Sequence, residues 1–372
     1  MSLSKKTIQI IKATAPVVAK HANAITANFY PTLFKNNPEA AHFFNKTNQS
    51  KGMQNKALAD AIVAYASNID NLGAIGGVVE KIAHRHVALN VTQELYPIVH
   101  NNLMIAIGDT LGDAITPEIG QAWSDAVMFL AGVCISTEDK LAQQYANRKG
   151  GWRGEREFEI VSKVKRAEET FSFELAPTDG YRGVFEYSAG QYLTIRTDGR
   201  TPRHYTLTSA SGDATLQCTT RLCDGGDVSS YMHQEMAVGD RCLLGPPCGI
   251  FVPKDTDSDA VLISAGIGVT PMFSFLGSLG SRRVKQVLHV DQSPTRHAFR
   301  SEFEQSGVEC KFIYTENTGR PDLAMEAQRL CEAVGLDADF YICGPPNFMN
   351  IMEEELKNRG ASNVLSEKFG TG

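Results

Sequence analysis

The stretch Val78-Val79-Glu80-Lys81-Ile82-Ala83-His84-Arg85-His86-Val87-Ala88-Leu89, followed past a turn by Tyr96, decides how the chain is read. At helical period Val79, Ile82, His86 and Leu89 share one apolar face, so His86 is expected to point into a core. His84 lies about 200° around the helix from His86, on the side of Glu80, and is expected to face water. A histidine on an apolar face is either a core imidazole bonded to a carbonyl or a metal ligand. This stretch alone does not choose between them.

Composition narrows the field. With 372 residues the chain exceeds one core, and at about 150 residues per domain two or three are expected. A net charge of −6, a pI near 5.9 and the lack of a basic cluster argue against nucleic acid as the main partner. The eight cysteines form no C-x-x-C pair, and Met1 to Lys6 carry no apolar signal core. A reduced, cytoplasmic protein is expected. The longest apolar run, Ala126 to Ile135, is ten residues, too short for a bilayer, so no transmembrane segment is expected.

The pattern changes twice along the chain, giving a multidomain protein. Residues 1–149 read as helix after helix, with turn signals at Pro31, Pro38, Gly76-Gly77 and Pro117, and Phe29-Tyr30-Pro31 is expected to end a helix. Gly150-Gly151-Trp152 forms the joint. Residues 150–257 alternate at period two, as in Phe171, Phe173 and Leu175, and read as an antiparallel β-barrel. In residues 258–372 apolar runs at 261–264, 286–290, 311–315 and 340–343 alternate with helical stretches at 271–279 and 347–359. That is an α/β domain with a parallel sheet.

The two C-terminal domains carry motifs that can be read for their chemistry. Arg203-His204-Tyr205-Thr206 follows Gly190-Gln191-Tyr192. A flavin dinucleotide needs a cation for its pyrophosphate, an aromatic against its ring and a hydroxyl near N5, and Arg203, Tyr205 and Thr206 offer these in order. An ordinary amphipathic strand explains the tetrapeptide equally well. Gly225-Gly226-Asp227-Val228-Ser229 adds a glycine turn opening a helix over 229–236, where free N–H groups suit a phosphate. Ala265-Gly266-Ile267-Gly268-Val269-Thr270-Pro271 follows a strand, so a dinucleotide pyrophosphate can approach the backbone. Cys343-Gly344-Pro345 ends a strand at the same carboxyl edge, and Cys343 itself reads as a buried strand-end thiol rather than a nucleophile.

These four pieces, in this order, resemble the ferredoxin reductase superfamily. The resemblance implies that the first two, with Tyr192, His204 and Val228, bind FAD, that 266–271 bind the nicotinamide dinucleotide, and that Cys343 lies near the nicotinamide. Glu367-Lys368-Phe369-Gly370 is similar to the family's terminal motif, whose aromatic shields the flavin. Thr206 replaces the commoner serine and Lys368 stands where close relatives often carry cysteine.

Over its whole length the chain resembles the flavohaemoglobins, in which a globin precedes such a reductase. The resemblance implies haem b with His86 as its iron ligand and Tyr96 and Glu138 as the proximal partners. It further implies Tyr30, Gln54 and Leu58 in the distal pocket, Phe44 packed on the haem, and Arg85 facing a propionate. Haem iron needs one strong axial nitrogen, and its ligand's other nitrogen should donate to an acceptor that raises its basicity. The activity implied is nitric oxide dioxygenation, converting nitric oxide and O2 to nitrate with electrons from NADH or NADPH through FAD, by a monomer. The alternatives are an oxygen- or lipid-binding haemoprotein, with lipid in the distal pocket and a reductase that keeps iron ferrous, and a general flavin reductase. Asp291 is expected to bond ribose hydroxyls, and Ser293 with Arg296 to hold a 2′-phosphate; the balance leans to NADH.

Overall fold

The computed structural model describes residues 2–43, 53–197 and 199–369, apart from the side chains of 42, 43, 53 and 54. The chain forms two compact units that divide between Tyr145 and Ala146.

The first unit is helical, as expected. α1 (Lys5–Asn36) starts at Ser4, whose hydroxyl accepts from the Thr7 amide, a cap worth about 1 kcal/mol. It runs straight through Pro16 and Pro31. Pro31 therefore does not end a helix: burial of Phe29, Tyr30 and Leu33 offsets the roughly 3 kcal/mol that an interior proline costs. α2 (Met53–Ser67), α3 (Gly76–Ala88), α4 (Leu95–Leu111) and α5 (Pro117–Ala146) follow. Tyr65 donates to the Ala126 carbonyl at 2.7 Å and Trp123 to Thr14 at 3.0 Å, tying α5 to α2 and α1. By length and composition α5 would suffice to cross a membrane, which the short apolar run did not suggest. In this fold its Ala122, Trp123, Ala126 and Cys134 are core residues.

The second unit holds two sheets. β1 (Arg156–Ala167), β2 (Thr170–Pro177), β3 (Tyr192–Arg196), β4 (Arg203–Thr206), β5 (Leu216–Arg221) and β6 (Arg241–Leu244) form an antiparallel sheet ordered β4-β3-β6-β1-β2-β5, with α6 (Asp227–Gln234) after β5. Its core is Phe158, Phe173, Leu193, Ile195 and Leu244, the inward residues of alternating strands. Trp152 is buried there and donates to the Leu244 carbonyl at 3.0 Å, which pins the joint.

β7 (Ala260–Ala265), β8 (Val284–Asp291), β9 (Glu309–Tyr314), β10 (Asp339–Cys343) and β11 (Asn363–Glu367) form a parallel sheet ordered β11-β10-β7-β8-β9. α7 (Val269–Arg283), α8 (Leu323–Val334) and α9 (Pro346–Asn358) cover it. Alternation serves both faces: Leu262, Val287 and Tyr341 pack with Met272 and Phe275 of α7, while Val261, Ile263 and Phe340 pack with Met349 and Leu356 of α9. Every residue of β7 and β10 is buried, as parallel strands require. β11 is a strand that the apolar pattern did not reveal. Gly190, before β3, packs against Phe251 and against Phe275 of α7, and its φ of +85° and that closeness leave no room for a side chain.

Candidate functional site: a histidine triad and two glycine turns

His86 lies in the last turn of α3. Its Nδ1 is 2.6 Å from Glu138 Oε1 and 3.1 Å from the Tyr96 hydroxyl, which itself donates to the same Oε1. A carboxylate only accepts, so Nδ1 carries the proton and Nε2 is left as a nitrogen donor. Glu138 is 8% exposed on α5; burial, then the carboxylate, hold the Tyr96 phenol well above its ordinary pKa. Tyr96 therefore stays a donor, and three elements converge to orient one imidazole.

The helix faces differ from the sequence expectation. The buried stripe of α3 is Val79, Ala83 and Val87, joined by His84. His84 does not face water: it is 8% exposed, with Nδ1 2.8 Å from the Tyr145 hydroxyl. Period alone counted apolar side chains. Which stripe packs inward is decided by the neighbouring helices, and Tyr145 makes a buried histidine tolerable.

Of the stripe expected to be core, Val79 is buried, whereas Ile82, His86 and Leu89 are half-buried. A half-open apolar strip bearing one oriented imidazole fits a flat apolar macrocycle. Among the described residues no three His, Cys, Asp or Glu gather to hold an ion, so His86 offers the single protein nitrogen that a haem iron takes.

Of the other predicted globin residues, Tyr30 is buried on α1 between Phe29 and Phe34, with ring centroids 4.9 and 6.0 Å away. Burial keeps its hydroxyl protonated. Leu58 packs half-buried against the helical core, and Arg85 is half-buried beside His86. Phe44 and the Gln54 side chain lie outside the described residues.

In the second unit, β3 and β4 pair Tyr192 with Thr206. The Tyr192 and His204 rings are 4.6 Å apart, and His204 Nδ1 is 2.9 Å from the Thr194 hydroxyl. Arg203 donates to the Thr201 and Pro202 carbonyls at 3.2 and 3.0 Å. Tyr205 is half-buried and Thr206 buried. Gly225 has a φ of +68°, and a Cβ on Gly226 would lie 2.6 Å from the Ser229 hydroxyl, which accepts from the Cys223 amide at 3.1 Å. Val228 anchors α6 in the core, and no side chain caps its start. Uncapped N–H groups beside a glycine turn fit a dinucleotide pyrophosphate.

The second turn follows β7. Gly266 has a φ of +56°, and a Cβ on Gly268 would meet the Cys343 carbonyl at 2.4 Å. Ile267 accepts from the Thr270 hydroxyl at 3.0 Å, and α7 opens on Val269 with Pro271 in its first turn and no side-chain cap. The sheet order places β7 between β8 and β10, the strand from which connections run both ways, where open α/β sheets bind ligands. Cys343 is fully buried at the strand end, as expected, and burial pushes its thiol well up. Gly344 packs against Ala265 and Pro345 leads into α9. Lys368 donates to Asn350 at 2.7 Å, Phe369 is 41% exposed, and Gly370 lies outside the described residues.

One expectation fails here. Asp291 is not open to a ribose: it is 2% exposed at its side chain and gripped by Arg221 of β5 at 2.8 Å. Arg296 pairs with Glu169 and with Gln292 Oε1, and Ser293 with Thr295. Arg221 was missed because a lone arginine ending a strand carries no spacing signal.

Residues 27–134 match the globin family. The chain is 38% identical to a flavohemoprotein of Bacillus subtilis over 99% of this chain and 98% of that protein, and also 38% identical to one of Rhodopirellula baltica over 99% and 98%. A crystal structure of flavohemoglobin from Malassezia yamatoensis with bound FAD and heme superposes over all of both chains, with a TM-score of 0.84 and 27% identity. The FAD/NAD-binding domain of a Vibrio cholerae nitric oxide dioxygenase is 29% identical, with a TM-score of 0.51, over 57% of this chain and 98% of that one. A helical unit built around a histidine triad, followed by two sheets each bearing a glycine turn, thus has its full-length counterparts, and the chain belongs to the flavohaemoglobin family.

Proposed function

We propose that the protein is a nitric oxide dioxygenase, drawing on NADH or NADPH and turning 2 NO + 2 O2 + NAD(P)H into 2 NO3⁻ + NAD(P)⁺ + H⁺. The observation that carries this reading is the triad, with Glu138 accepting from His86 Nδ1 at 2.6 Å and Tyr96 securing the carboxylate. A carboxylate partner gives the imidazole partial anionic character, which favours oxygen activation over storage. When bound, haem supplies the oxygen chemistry and FAD the conversion of hydride into single electrons.

The chain's own residues do the rest. His86 would hold the iron through Nε2, with Glu138 and Tyr96 fixing the ring's tautomer and direction. Tyr30, kept protonated by burial, would serve as the distal hydrogen-bond donor, with Leu58 limiting access; Gln54, Phe44 and Arg85 are assigned to the same haem site. Tyr192, Arg203, His204, Tyr205, Thr206 and the turn from Gly225 to Ser229 would hold FAD. The turn from Gly266 to Pro271 would take the nicotinamide dinucleotide, with Cys343 to Pro345 and the terminal motif of Lys368, Phe369 and Gly370 assigned to its nicotinamide end.

Nitric oxide should be consumed with stoichiometric nitrate under NADH and O2, and Tyr30→Phe should slow that consumption at least tenfold while leaving NADH-driven flavin reduction intact. Nitrate-free or Tyr30-independent consumption refutes the proposal and leaves a carrier or a general flavin reductase.

A further inference from the structure

We propose that Arg221 is a positioning residue for hydride transfer: one guanidinium that clasps the nucleotide lobe onto the flavin lobe and sets the approach of nicotinamide to flavin. This rests on the reductase part of the reading above.

Arg221 is the last residue of β5, at the edge of the antiparallel sheet, and the chain passes directly from it into the Gly225-Gly226 turn. Its guanidinium leaves that sheet. Nη2 donates to Asp291 Oδ2 at 2.8 Å and to the Arg296 carbonyl at 2.5 Å, and Nη1 to Asp291 Oδ1 at 3.3 Å. A Cβ on Gly266 would lie 3.3 Å from the same Nη1, so the guanidinium lies beside the first glycine of the nucleotide turn. On the side toward its own sheet, Nε reaches Thr170 at 3.4 Å.

Neighbouring contacts keep this register. The Glu168 amide donates to the Thr295 carbonyl at 2.8 Å, Thr295 donates to Glu168 at 3.0 Å, and Arg296 pairs with Glu169. These hold the loop after β8 against the β1–β2 turn, while Arg221 stands on the segment leading to the first glycine turn and beside Gly266 of the second. Asp291 stands where an acidic residue of a doubly wound sheet usually meets ribose. Here it faces the other lobe, and a planar two-pronged pair fixes direction as well as distance.

In the step concerned, the C4–H bond of the dihydronicotinamide breaks and an N5–H bond forms on the flavin, so the dinucleotide loses two electrons and the flavin gains them. Transfer needs the two rings held in near-attack geometry, where an error of about 1 Å costs on the order of a hundredfold. A clasp that bridges the two turns governs that geometry without touching either ring.

The test uses the full-length, haem- and FAD-loaded protein. Arg221→Lys keeps the charge and loses the fork. The double variant Arg221→Met with Asp291→Leu removes the buried pair together, so that no carboxylate is left unpaired. Anaerobic mixing with NADH gives the rate of flavin reduction per bound FAD, deuterium at C4 gives the isotope effect, and calorimetric titration with NAD⁺ gives affinity independently of turnover. Expected is a tenfold or greater fall in rate in both variants, a larger isotope effect, and NAD⁺ affinity within threefold of the unsubstituted protein. A rate per bound FAD equal to the unsubstituted protein's overturns the proposal. A loss of NAD⁺ affinity matching the loss of rate overturns it in favour of simple binding. Failure of the unsubstituted protein to reduce flavin at all overturns the reductase reading itself, and this proposal with it.

Discussion

Replacing Glu138 by glutamine isolates what the triad's charge contributes. Both donors, His86 Nδ1 at 2.6 Å and the Tyr96 hydroxyl, converge on one oxygen, Oε1. Glutamine with its carbonyl oxygen at that point keeps both hydrogen bonds and loses only the negative charge. Hydrogen bonds to a charged partner contribute about 1.5–3 kcal/mol against about 0.5–1.5 for neutral ones, so the imidazole loses roughly 1 to 1.5 kcal/mol of polarisation. If that difference is expressed in the rate-limiting chemistry, nitric oxide turnover falls about five- to twelvefold, at the lower edge of the roughly 10–100-fold range typical when a metal ligand's hydrogen-bond partner is changed. An electrode assay at saturating NADH measures turnover, and resonance Raman spectroscopy of the ferrous protein measures the iron–histidine stretch, which should soften. Unchanged stretch and unchanged turnover together would show that the carboxylate does not polarise the ligand, and the reasoning would be wrong.

Other outcomes follow from the same structure. Gly268→Ala places a Cβ 2.4 Å from the Cys343 carbonyl, so NADH should no longer reduce the flavin, whereas carbon monoxide binding to dithionite-reduced haem should survive; retained reduction would remove the turn from the nucleotide site. Lys163 donates to the His233 and Met236 carbonyls at 2.8 and 2.7 Å, at the C-terminal end of α6, so Lys163→Met should cost about 1 to 2 kcal/mol after allowance for partial exposure. Faster FAD release in a fluorescence dilution assay would register that loss, and unaltered release would contradict it. Burial, then the adjacent His289, depress His297 to about 2, although Asp291 opposes them. The folded state thus resists a proton that the unfolded chain takes up below pH 6.5, and stability falls with pH from there toward about 2, by up to about 1.4 kcal/mol per unit. Urea unfolding followed by flavin fluorescence should therefore show a shallower decline between pH 6.5 and 5 for His297→Phe than for the unsubstituted chain, and parallel curves would rule the group out.

Motifs whose chemistry is local were legible in the sequence. Glycine turns announce themselves because only glycine tolerates the φ of +68° at Gly225 or the crowding at Gly268, and the switch from helical period to alternation marked the change from helices to sheets. Errors came where a neighbour distant in sequence decides. Pro31 looked like a helix end, yet α1 continues because the residues around it are buried. β11 escaped notice because an edge strand of half-buried residues has no apolar run to betray it.

By itself the sequence determined the three architectures in order and the two glycine turns, and its resemblance to a family implied the inventory of His86, Tyr96 and Glu138. It could not say that the His84 side of α3 also packs inward, because burial belongs to the contact between helices rather than to one helix. Nor could it show that Oε1 of Glu138 serves two donors, or that Asp291 is spent on Arg221 rather than a ribose. Those facts join residues 42, 52 and 70 positions apart. Such pairings carry no periodicity along the chain, and only its folding in three dimensions selects them.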